Sequence, residues 1–208
     1  MSEVKPNGRE ALLETAARVF ATEGPQALTV RRLAREVGAS TMAIYSSFSG
    51  KEELIAATAD EFVTRFAAAL RAVPATDDAL ADFVEMGRVY RAVAHTNPHL
   101  YRVAFQSGRL SLLEDTPSGI AEIYDYVVGV LARCVGQGIF PGGDPVRLLM
   151  VMWTAVHGQV CMELERIFPS QETADVAWEL FFRAVIVGLG ADPGPVERAF
   201  GKRPAGAG

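Results

Sequence analysis

Cysteine and histidine are scarce: two of the first (Cys134, Cys161) and three of the second (His95, His99, His157) occur in 208 residues. No CxxC spacing and no Cys/His cluster exists, which excludes a zinc site. Ser/His/Asp constellations, paired-carboxylate motifs and phosphate loops are missing as well. An enzyme is therefore not expected, and neither is a cofactor or a metal. No apolar run approaches the ~18 residues that a membrane-spanning helix needs. The first ten residues, MSEVKPNGRE, lack the apolar core of a signal peptide. These absences together predict a soluble, cytoplasmic protein. Strand-like alternation is also wanting, and β-branched residues are scattered through helical patterns, so the fold class is all-α. Both cysteines lie in apolar helical contexts and are expected as buried thiols, with a redox-sensing pair as the rival reading.

What the chain does have is charge of both signs, unevenly placed. The net charge is −5. Residues 1–51 nevertheless carry seven Lys/Arg against five Glu, a balance of +2. The remainder carries thirteen basic against twenty acidic residues, a balance of −7. A basic head on an acidic body suits a protein that touches phosphate with one end only.

Helix starts are legible throughout. Asn97-Pro98, Thr116-Pro117 and Asp144-Pro145 each set a capping side chain before a proline at the first helical position. Ser49-Gly50-Lys51-Glu52 reads as a capping box. Nine main helices are predicted at roughly 8–23, 29–37, 41–47, 50–73, 77–96, 98–106, 117–137, 145–166 and 171–190. The Gly/Pro/Ala-rich end from Asp192 reads as a flexible tail, with at most a short helical turn at 194–200. The expected division is 1–52, 53–191 and 192–208.

The stretch Thr29–Leu54 carries the sharpest pattern. Its first helix buries Val30, Leu33, Ala34 and Val37 and leaves Arg31, Arg32, Arg35 and Glu36 outward. Gly38 ends it, since glycine tolerates the left-handed conformation of a tight helix end. Ser40 caps the next helix, which buries Ile44 and Phe48 and exposes Thr41, Met42, Tyr45 and Ser46. That spacing lets the second helix lie in a DNA major groove, N-terminal residues first. Thr29 and Lys51 sit at helix starts, where backbone N–H groups favour a phosphate. Tyr45 can donate its hydroxyl to a phosphate. Thr41 and Met42 can meet base edges, by hydrogen bond or by contact with a thymine methyl.

Over these residues the chain resembles the TetR family of transcriptional regulators. The matching positions are Arg9–Phe20, Thr29-Val30, Leu33-Ala34, Val37-Gly38, Ser40, Ala43-Ile44-Tyr45, Phe48 and Lys51-Glu52-Glu53-Leu54. The resemblance implies a homodimeric, all-helical repressor with a ligand-sensing C-terminal domain. It also implies that Thr29, Ser40, Thr41, Tyr45 and Lys51 face DNA. Met42 stands where relatives often hold a small residue, and Ser46 or Ser47 where they often hold His or Tyr. The operator therefore does not carry over.

Further along, Trp153-Thr-Ala-Val-His157-Gly158 resembles the C-terminal domain of a TetR subgroup marked by Trp, His and Gly at this spacing. Met150, Trp153 and His157 share one helix face. Val151, Ala155, Gly158 and Met162 share another that a partner helix can approach closely. Together with Trp178 and Phe182 on the last long helix, that second face is expected to form a four-helix dimer interface. The first face would look towards Met86, Tyr90, Phe105 and Tyr124, with the tyrosines and His157 orienting a polar group in an apolar chamber. The expected partners are a double-stranded DNA operator, a small and largely apolar effector, and a second copy of the chain. Control by a protein partner instead of a small molecule is the rival reading.

Overall fold

The computed structural model describes residues 6–108 and 118–201. Among them are ten α-helices and no strand. The helices are α1 (Pro6–Glu23), α2 (Val30–Val37), α3 (Thr41–Tyr45), α4 (Lys51–Arg71), α5 (Ala79–Thr96), α6 (Pro98–Gln106), α7 (Ser118–Gly136), α8 (Pro145–Leu164), α9 (Gln171–Gly188) and α10 (Pro193–Gly201). The predicted all-α class is what the chain adopts. The expected start at Thr116-Pro117 lies outside the described residues.

The chain divides into two compact units, Met1–Ala67 with Thr96–Ile120 and Ala68–His95 with Ala121–Gly208. This differs from a boundary at 52/53, because the first unit takes most of α4 and all of α6. Local chemistry explains why. Arg65 on α4 pairs with Glu14 of α1 at 2.6 Å and with Glu61 at 2.8 Å. Its Nη1 also donates to Asn97 Oδ1 at 2.6 Å. Beneath these pairs Phe62 meets Tyr101 edge-on at 5.4 Å and Phe105 at 6.1 Å. Asn97 therefore serves α4 and makes no side-chain cap of its own helix. Asp144, by contrast, caps as expected, accepting from Val146 N–H at 2.9 Å and Arg147 N–H at 3.3 Å.

The second unit packs around Phe182. Its ring lies 5.9 Å from Phe83, 5.3 Å from Trp178 and 5.7 Å from Phe200, centroid to centroid. Gly87 makes room for it on α5, since a Cβ there would stand 2.4 Å from Phe182 Cε1. At the start of α5 the buried Asp82 accepts from the Thr76 hydroxyl at 2.6 Å and from Arg133 of α7 at 2.9 Å. The expected tail is a correction: α10 is a nine-residue helix with Val196, Ala199 and Phe200 buried. Arg183 of α9 stacks over Phe200 at 4.4 Å, and Arg88 of α5 donates to its carbonyl at 2.8 Å. Proline at its first position and an i, i+4 apolar pair outweigh the glycine-rich composition.

Candidate functional site

The sequence of α2 and α3 builds a rigid, solvent-facing corner. Thr29 caps α2, its hydroxyl accepting from Arg32 N–H at 3.3 Å. Gly38 ends the helix at φ 68°, and the next N–H, of Ala39, returns to the Ala34 carbonyl at 2.9 Å. That left-handed residue turns the chain sharply enough for Ser40 to cap α3, accepting from Ala43 N–H at 3.0 Å. Ile44 and Phe48 anchor the inner side of α3. Thr41, Met42, Tyr45 and Ser46 are all exposed on the outer side, Met42 by 78% and Tyr45 by 57%. Neither the methionine nor the tyrosine is part of the buried core. Ser46 is turned back, its hydroxyl donating to the Ala43 carbonyl at 2.9 Å.

The basic residues sort into two kinds. Arg32 is held by Glu23 at 2.6 Å and by Glu36 at 2.8 Å, and Arg18 also pairs with Glu36. Hydrogen bonds from Arg32 hold the Glu23 and Glu36 carboxyls below the usual carboxylate range. This network fastens α2 to the end of α1, so Arg32 is a brace and not an outward charge. Arg31 and Arg35 are exposed one turn apart, with no carboxylate among the described residues paired to either. Lys51 opens α4, whose start is fixed by Ser49 N–H donating to Glu53 at 2.6 Å. The acid that reaches back to Ser49 is Glu53, not the Glu52 of the expected capping box. Ser49 holds its carboxyl below the ordinary value.

In the second unit, α5 and α8 meet through two polar groups. Tyr90 Oη lies 3.1 Å from His157 Nδ1, and Cys161 Sγ lies 3.5 Å from His157 Nε2. Burial lowers the His157 pKa. The Trp153 ring is 6.0 Å from the imidazole. The second group surrounds the buried Glu163: Arg91 donates at 2.8 Å, Gln159 at 3.1 Å, and His95 Nε2 is 2.6 Å away. Arg91 reaches on to Asp175 at 2.5 Å and lies over Trp178 at 5.4 Å. Burial opposes its charge, but Asp175 and Glu163 hold its pKa raised. Nothing in the sequence pattern singled out this group, because its members are scattered over α5, α8 and α9.

Of the residues expected around an effector, Met86, Tyr90, Tyr124, Met150, Trp153 and His157 all belong to the second unit. Phe105 belongs to the first, packed 4.6 Å from Tyr101. Met86 and Tyr90 are buried, Tyr124, Trp153 and His157 half-buried, and Met150 exposed. On the expected dimer face Val151, Gly158 and Met162 are exposed and Ala155 half-buried. Trp178 and Phe182 are corrections, being 3% and 1% exposed in the core of the second unit. The outward apolar residues of α9 are Val176, Leu180 and Val187, with Leu180 63% exposed. No helix among the described residues is long and apolar enough to cross a membrane.

Comparison with known proteins agrees with this geometry. A family model described as "Bacterial regulatory proteins, tetR family" matches residues 12–58, and one described as "Tetracyclin repressor-like, C-terminal domain" matches 83–185. The HTH-type transcriptional repressor Rv1474c of Mycobacterium tuberculosis is 32% identical over 173 residues, covering 69% of this chain and 88% of that protein. The uncharacterized HTH-type transcriptional regulator Rv0681 of the same organism is 27% identical over 178 residues, covering 84% of this chain and 78% of its own length. A solved tetR-family regulatory protein from Rhodococcus RHA1 superposes with a TM-score of 0.71 at 20% identity, covering 88% of this chain and 97% of that one.

Proposed function

The chain belongs to the TetR family of bacterial transcriptional regulators, and from that premise we propose that it is a homodimeric repressor released from a palindromic operator by a small, largely apolar effector. The observation that carries the DNA half is the outer side of α3, where Thr41, Met42 and Tyr45 are exposed on a helix fixed at both ends. Thr41 and Met42 read bases from the first turn of that helix. Tyr45, Lys51, Thr29 and Arg31 hold phosphates, by hydroxyl, charge or helix N-terminus. Ser40 contributes as the cap that aims α3.

Two copies associate through Val151, Ala155, Gly158 and Met162 of α8 with Val176, Leu180 and Val187 of α9. An isologous pair would space two recognition helices by about 34–36 Å, one turn of DNA. The effector sits against the Tyr90, Trp153 and His157 side of α8, and its differential affinity for two arrangements of the body sets the response. The name of one relative as a repressor supports the direction of control. The Trp153, His157, Gly158 spacing supports reading this body as one of the Trp-His-Gly subgroup.

Full-length protein and a randomised duplex pool test the assignment of contacts. Tyr45→Phe, Lys51→Ala and Arg31→Ala should weaken binding to all sequences alike, with the salt slope falling by about 1 for each charge removed. Thr41→Val and Met42→Ala should change which duplexes are selected. If both groups behave alike, the division between phosphate and base contacts is wrong.

A further inference from the structure

We infer that Cys161 is a modification site for carbon electrophiles of the α,β-unsaturated carbonyl class, with His157 as the base that takes its proton and Tyr90 holding that base. This rests on the reading of the body as an effector domain and names the chemistry its effector would have.

Three groups stand in line: Cys161 Sγ at 3.5 Å from His157 Nε2, and Tyr90 Oη at 3.1 Å from Nδ1. A neutral imidazole carries one N–H. With that proton on Nδ1, it donates to Tyr90 Oη, and Nε2 is left as an acceptor facing the sulfur. Burial lowers the His157 pKa, which keeps the ring neutral at rest while making it a weaker base, so the case for proton transfer rests on the geometry. Cys161 lies in the last turn of α8, which ends at Leu164. That end of a helix presents carbonyls, so His157 and not the helix terminus is the group set to take the thiol proton.

Position fits the same chemistry. Cys161 is half-buried, on the side of α8 that also presents Met150, Trp153 and His157. The second cysteine supplies an internal contrast: Cys134 is fully buried, and burial pushes its thiol up to about 12.

The reaction balances without an oxidant. The bond from Sγ to the β-carbon forms as the thiol proton passes to Nε2. The alkene electron pair moves to the carbonyl oxygen, giving an enolate. The enolate α-carbon then takes a proton from Nε2–H, and the imidazole returns to its starting form.

Methyl vinyl ketone, full-length protein and N-acetylcysteine as the reference thiol make the test. Adducts are followed by intact mass and peptide mapping, and operator binding with a duplex selected by the protein. One adduct should form, at Cys161, at least about tenfold faster than on N-acetylcysteine. His157→Gln and His157→Asn, each checked for a native circular dichroism spectrum, should slow it about tenfold or more. The adducted protein should bind the duplex about tenfold more weakly, and Cys161→Ser should show neither adduct nor response. A rate no faster than the reference, an equal rate at Cys134, indifference to both His157 variants, or unchanged DNA affinity would each overturn the inference. If saturated apolar compounds alter DNA affinity equally in wild type and Cys161→Ser, the effector reading stands and the electrophile falls. If no compound of either kind alters it, both fall.

Discussion

Gly87→Ala puts a single methyl group where the second unit has least room. Gly87 lies in the middle of α5, and alanine would raise helix propensity by about 1 kcal/mol. Against this, the new Cβ would stand 2.4 Å from Phe182 Cε1 and 2.6 Å from Cζ. Carbon atoms rest at about 3.5–4.0 Å, so the ring must retreat by roughly 1 Å or more. It has nowhere to go, being 1% exposed and walled by Phe83, Trp178 and Phe200. Overpacking of this kind costs about 1–3 kcal/mol, which leaves a net loss of up to about 2 kcal/mol after the propensity gain. Urea unfolding at fixed protein concentration, followed by tryptophan fluorescence, measures it, since Trp178 lies against Phe182. Phe182→Leu in the same background should recover part of the loss, with a coupling of about 1 kcal/mol. A Gly87→Ala protein as stable as wild type or more so, with an additive double variant, would refute the packing argument.

Acidity should act through His157. Burial sets its folded pKa below the unfolded value of ~6.5, so the unfolded chain takes the extra proton first. The stability this gives is fully present above the unfolded value and is lost as pH falls below it. The urea midpoint should therefore drop between pH 7.5 and 5.5, and drop less in His157→Gln; equal drops would contradict this. On the outer side of α9, Leu180→Asp should convert the dimer to a monomer in sedimentation velocity, since it buries a charge in the subunit contact. A dimer that survives both Leu180→Asp and Val176→Asp would place the interface elsewhere.

Much of the fold was legible because its signals are local. Thr29, Ser40 and Asp144 cap the helices they precede, and Gly38 turns where a left-handed residue was expected. The outer residues of α3 follow from the same short stretch, since Ile44 and Phe48 fix which side is buried. What escaped depends on distant partners. Arg32 looks outward on α2 alone, but Glu23, nine residues back, folds against it. On α9 apolar residues occur on two sides, and period alone cannot say which faces inward. Gly87, far away on α5, decides this by admitting Phe182, and so leaves Val176 and Leu180 outside. Asn97 stands at the N-cap position, but its side chain serves Arg65, 32 residues away, which no local signal shows. The Glu163 group has no motif, because buried charge is satisfied by whatever the packing brings near it.

A hydroxyl-radical footprint on a duplex selected by the full-length protein tests most directly whether a dimer reads DNA through α3. Two protected half-sites, related by a palindrome and centred about one helical turn apart, are expected on one side of the duplex. Met42→Ala should alter the sequence of both half-sites together. A single protected site, or protection without sequence preference that fades uniformly with salt, would contradict the account.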